Sequence, residues 1–138
     1  MTLRPLFGAA LGIVTLAALV QPAGAETMRG RAKAVVELFT SQGCAQCPPA
    51  DALLTGLAEE GDVVALAYHV DYWDYVGWED TFGDEDYSDR QRAYAKSWGS
   101  SRIYTPQMVI NGLRGVVGSK RNEVYRALQD VSMPLAVD

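Results

Sequence analysis

Apolar positions along the chain fall into blocks, and each block has its own period. Ala34 to Thr40, AVVELFT, is a short run rich in β-branched residues that ends at a Ser-Gln-Gly turn, the pattern of a buried strand. Leu53, Leu54, Leu57 and Ala58 then recur at helical spacing, and Gly61 is placed to stop that helix in a left-handed cap. DVVALAYHV, Asp62 to Val70, is continuous in apolar and β-branched residues, which predicts a strand covered on both faces of a parallel sheet. Two parallel strands joined through a helix form a right-handed β-α-β unit. Further on, Ser88 with Gln91 three residues later makes a capping box, predicting a helix to about Trp98 with Gly99 as its stop. Gln107 to Ile110 and Leu113 to Val117 flank Asn111-Gly112, the strongest short-range hairpin signal. A last helix is expected from Ser119, with Val124, Leu128 and Val131 on one face. The order is β-α-β-α-β-β-α, an α/β fold.

The N-terminus does not belong to this pattern. Arg4 is followed by a mostly apolar run from Leu6 to Val20 and then by QPAGA, whose Ala23 and Ala25 form a small-x-small cleavage signal. Gly8, Gly12 and Thr15 interrupt the run, and it is shorter than the roughly 20 apolar residues of a bilayer span. Residues 1–25 are therefore expected to be a signal peptide and 26–138 one domain, placing the mature protein in the periplasm or outside the cell. Without the leader the chain has 11 Lys and Arg against 17 Asp and Glu, a net charge of −6, which argues against a nucleic-acid partner. There is no glycine-rich phosphate loop, no repeat and no other stretch long and apolar enough to span a membrane.

Composition matters most through the two cysteines, Cys44 and Cys47, in TSQGCAQCPPAD. Outside the cytosol such a pair is oxidised unless something reduces it, so its redox state is a functional question. Spacing alone leaves open a working dithiol, half of a metal site or a structural staple, although a bridge closing so short a loop adds little stability.

The element order, with the cysteine turn at the end of the first strand and Pro106 just before the third, resembles the thioredoxin fold, which implies a four-stranded mixed sheet. More closely, VELFTSQGCAQCPPAD, ALAYHVDYWDYVGWED, RQRAYA and YTPQMVINGL resemble a family of secreted bacterial thioredoxin-like proteins of uncharacterised function, with an acidic and aromatic insertion after the second strand. Members of that family usually continue into a C-terminal β-rich region, which has no counterpart here after MPLAVD. In this topology the first strand delivers Cys44 to a helix N-terminus, where free backbone N–H groups and the helix dipole stabilise a thiolate. Cys44 is then the exposed nucleophile and Cys47, one turn on and facing inward, the resolving thiol. The resemblance further implies that Pro106 is cis and lies against the pair, with the Thr105 backbone open to an extended substrate. The activity implied is thiol-disulfide exchange with protein or small-molecule thiols, together with a redox partner and no cofactor.

A second reading uses the only histidine. His69 ends the second strand on the same sheet edge as Cys44, and two thiolates with one imidazole make a soft site for Cu(I), with Met108 in reserve, as in a copper-binding or metal-delivery protein. The plainer role for His69 is to cap the strand or to bond to Asp71 or Asp74. Likewise, the aromatics between Asp71 and Asp89 either wall a substrate groove or cover a satellite core.

Overall fold

The structure is a computed structural model that describes residues 32–130. The leader read in residues 1–25 and Val131 of the last helix lie outside the described residues. The elements are β1 (Ala34–Thr40), α1 (Pro48–Glu59), β2 (Val63–His69), a 3-10 turn (Asp74–Val76), α2 (Glu85–Ser97), β3 (Gln107–Ile110), β4 (Arg114–Val117) and α3 (Arg121–Asp130). One four-stranded sheet has the order β2-β1-β3-β4, with β2 parallel to β1 and the β3–β4 hairpin antiparallel. This is the thioredoxin-like α/β arrangement that the element order implied.

Alternation along β1 divides the core in two. Val36 and Leu38 pack with Met108, Ile110 and Val116 beneath Leu53, Leu54 and Leu57 of α1 and Val124 and Ala127 of α3. Phe39, on the opposite face, joins Val70 and Val109 beneath Tyr68, Tyr72, Trp73 and Tyr94. Glu37 shares that face and is buried, a costly place for a charge unless it is paired. Arg90 of α2 meets it at 2.5 Å and the Tyr94 hydroxyl donates to it. The hydrogen bond to Glu37 holds Arg90 above its ordinary value, while burial and then Glu37 push Tyr94 up to about 12.

Three expectations need correction. β2 is not covered on both faces: among the described residues it is an edge strand, and Val64 and Leu66 are 38% and 37% exposed because α2 reaches only as far as Tyr68, through Tyr87. α2 starts earlier than Ser88. Asp84 is its N-cap, accepting from the Asp86 N–H, and the apparent capping box is buried one turn inside the helix. There the Ser88 hydroxyl donates to Asp71, and Gln91 bonds to Tyr72, Tyr104 and Gln107. Finally, Leu113 belongs to the turn, since Ile110 pairs with Arg114. Asn111 and Gly112 take left-handed φ values of 51° and 68°, and Asn111 is also tied to Val35 at the start of β1 through its backbone N–H and side-chain oxygen, 2.9 and 2.8 Å.

Candidate functional site

The carboxyl ends of β1 and β2 carry the site. β1 ends at Thr40, and the chain turns through Ser41, Gln42 and Gly43 to Cys44, whose N–H donates back to the Ser41 carbonyl at 3.1 Å. Cys44 and Cys47 are joined as a disulfide with a Cα–Cα distance of 5.4 Å. Cys47 caps α1, Pro48 and Pro49 open it, and the Thr40 hydroxyl donates to Asp51 in its first turn at 2.7 Å. Cys47 is fully buried, as expected, but Cys44 is only 3% exposed, so exposure does not separate the two.

The expected free N–H groups at this helix start are not there. A helix start ordinarily leaves its first N–H groups unpaired. Here Pro48 and Pro49 have none, and Ala50 and Asp51 both donate to the Cys47 carbonyl, at 2.8 and 3.1 Å. A thiolate at Cys44 therefore relies on the α1 dipole, which the Asp51 carboxylate in the same turn opposes.

The Thr105–Pro106 peptide bond is cis, and Pro106 is buried. Gln107 pairs with Phe39, so Pro106 stands level with Thr40 at the edge from which the cysteine turn departs. Trp73, from the insertion after β2, ties the two turns together. Its indole N–H donates to Thr105 Oγ1 at 2.7 Å, and its Cβ lies 3.1 Å from where a Cβ on Gly43 would stand. Glycine at position 43 is thus what lets the tryptophan sit against the residue preceding Cys44. Tyr72 is packed beside it, its phenol pushed up to about 12 by burial and hydrogen-bonded to Gln91.

His69 points its Nδ1 to Asp80, at 2.6 Å, and not to Asp71 or Asp74. Asp80 has no side-chain exposure and also accepts from the Gln42 N–H at 2.7 Å and the Phe82 N–H at 3.0 Å. Burial works against its charge, but the bonds from Gln42, His69 and Phe82 outweigh it and hold Asp80 below the ordinary carboxylate range. Because Asp80 is ionised it can only accept, so His69 Nδ1 carries the proton of that bond. The pair anchors the insertion to the cysteine turn. Among the described residues no group of three or more His, Cys, Asp or Glu side chains is placed to hold a metal ion, and Met108 is core.

Sequence reasoning missed Gly43, Asp80 and Gln42 as parts of the site, and offered Trp73 only among the aromatics of a groove wall or a satellite core. Their signal lay only in Trp73 and Asp80 belonging to an insertion after the strand that ends at the cysteine edge. Of the aromatics there, Tyr72 and Trp73 turn into the satellite core, whereas Tyr75, Trp78 and Phe82 face solvent.

Fold and site together define a thioredoxin-like domain with one CxxC disulfide. A family model described as "Protein of unknown function (DUF1223)" matches residues 35–136, and the chain belongs to that family. A crystal structure of an Agrobacterium tumefaciens protein is 47% identical, with a TM-score of 0.69 over 72% of this chain and 45% of its own; this chain spans less than half of that relative's length. Thioredoxin f from spinach chloroplast is 23% identical with a TM-score of 0.47, covering 76% of this chain and 74% of its own. A Malassezia sympodialis thioredoxin is 19% identical with a TM-score of 0.46, covering 77% and 83%. No curated protein matches.

Proposed function

We infer that the protein is an extracytoplasmic thiol-disulfide oxidoreductase. The observation that carries this reading is the convergence of the Cys44–Cys47 disulfide with the Thr105–Pro106 turn, both held by Trp73. In the reductive direction the Cys44 thiolate attacks a substrate disulfide, forming a mixed disulfide and releasing one substrate thiolate, which takes up a proton. The Cys47 thiol then loses its proton and attacks Cys44, closing the Cys44–Cys47 bond and releasing the second substrate thiolate. Two electrons pass from the dithiol to the substrate. The oxidative direction is the reverse, and an external thiol or disulfide partner resets the pair. Pro106 shapes the substrate face, and the Thr105 backbone pairs with an extended substrate. The leader read in residues 1–25 supports the compartment, and among the described residues no helix is long and apolar enough to cross a membrane.

The test is trapping. With Cys47→Ser the second step has no attacker, so covalent complexes with extracytoplasmic proteins accumulate on non-reducing gels, while Cys44→Ser gives few. Absence of trapped species in the Cys47→Ser strain, where the wild-type pair cycles, would overturn the reading.

A further inference from the structure

The insertion after β2 displays a cluster of large apolar side chains. Tyr75 is 85% exposed, Val76 58%, Trp78 61% and Phe82 63%, all within eight consecutive residues. Scattered exposed apolar residues are ordinary, but an exposed apolar group rimmed by polar residues marks an interaction site.

This rim is held in place. Asp80 binds Gln42, His69 and Phe82, its own N–H donates to Asp74 at 3.1 Å, and Trp73 is fastened to Thr105. The Trp78 indole N–H reaches the Gln42 side chain at 3.3 Å, so the rim borders the turn two residues before Cys44.

Charge selects the occupant. Residues 71–89 hold eight Asp and Glu and no Lys or Arg. Asp80 is paired with His69 and Asp89 with Arg92, whereas Asp74, Glu79, Asp84, Glu85 and Asp86 form no ion pair among the described residues. A second copy would bring two acidic rims together, and an anionic membrane or nucleic acid would be repelled. A cationic segment is attracted by the carboxylates, and its Arg or Lys can stack on the open faces of Trp78 and Tyr75.

We propose that this rim docks cysteine-bearing polypeptide segments rich in basic and apolar residues, and so selects the substrates presented to Cys44. The proposal deepens the dithiol reading and rests on it for its catalytic consequence, but docking is measurable without any thiol. Fluorescein-labelled peptides carrying Ser in place of Cys, flanked by Arg and Leu, by Glu and Leu, or by Arg and Ser, are titrated into the full oxidised chain and followed by anisotropy. The Arg-Leu peptide is expected to bind about tenfold more tightly than either of the others, with its lead over Glu-Leu shrinking as salt is raised. Tyr75→Ser/Val76→Ser should remove the apolar part of that preference, and Glu79→Gln/Glu85→Gln the basic part.

A second arm uses the same peptides with Cys linked to a small reporter thiol. Exchange with the reduced protein should follow the same order, and Tyr75→Ser/Val76→Ser should leave exchange with a small-molecule disulfide unchanged. Equal binding of the three serine peptides overturns the docking surface even if thiols exchange. Preferential binding without any exchange upholds the surface and removes the dithiol reading. If the peptides do not bind, and the exposed pair Tyr75–Val76 instead governs self-association or binding to phosphatidylglycerol vesicles, the proposal is overturned.

Discussion

Pro48 and Pro49 set how strongly Cys44 is activated, because they remove the donors that a helix start would otherwise turn toward a thiolate. The α1 dipole remains, worth up to about 1 kcal/mol, or roughly fivefold in thiolate population. With Cys44 as the attacking thiol, Cys44 in the reduced protein is expected to react with iodoacetamide faster than Cys47 at mildly acidic pH, as read by peptide mapping. Equal rates, or faster labelling of Cys47, would contradict the assignment of roles. Asp80 acts at the same scale. Asp80→Ala leaves His69 and two backbone N–H groups without their acceptor, and should lower stability by about 3 kcal/mol in urea unfolding near neutral pH. The sign with pH follows from its depressed value. Its stabilisation is complete above the unfolded-state value of 3.8 and is lost as pH falls through the lower folded value, so the variant's deficit should shrink on acidification. A deficit that is constant with pH would mean that the Asp80 charge is not what stabilises this loop.

Among the elements, α2 and β3 are joined by Gln91, which is fully buried, accepts from the Tyr72 hydroxyl at 2.9 Å and donates to the Tyr104 carbonyl and Gln107 at 2.7 and 2.9 Å. Gln91→Leu fills similar space and leaves those groups unsatisfied. It should cost about 2 to 4 kcal/mol and slow disulfide exchange, since Tyr104 adjoins the Thr105–Pro106 turn. A fully stable variant would show that α2 docks through its apolar contacts alone. The same residue shows where sequence reading stops. Ser88 and Gln91 have the spacing of a capping box, but the box pattern is local, whereas their partners Asp71, Tyr72 and Gln107 are brought up by the insertion and by β3. β1 was legible to its last residue because a short buried run bounded by a turn is itself local information. β2 read as buried on both faces because apolar continuity does not reveal that no further strand pairs beside it among the described residues. Cys44, Cys47 and Pro106 were legible from spacing and resemblance. The contacts that bring Trp73 to the site were not, because Gly43 and Thr105 are 30 and 32 residues away from it in sequence.

Taken whole, the domain is one sheet with α1 and α3 on one face and α2 with the insertion on the other, and the chemistry gathers where β1 and β2 end. The acidic insertion sits beside that edge, tied to Gln42 two residues before Cys44. The central claim is that these cysteines cycle, and it is a claim about a potential. The Cys44–Cys47 couple should be titrated in the intact protein against glutathione and dithiothreitol buffers, with the reduced and oxidised forms counted by mass after alkylation. Working pairs of this kind lie between about −270 and −120 mV, and the account predicts a reversible midpoint in that window. A midpoint below about −300 mV, where structural bridges lie, or reduction only on unfolding, would contradict it.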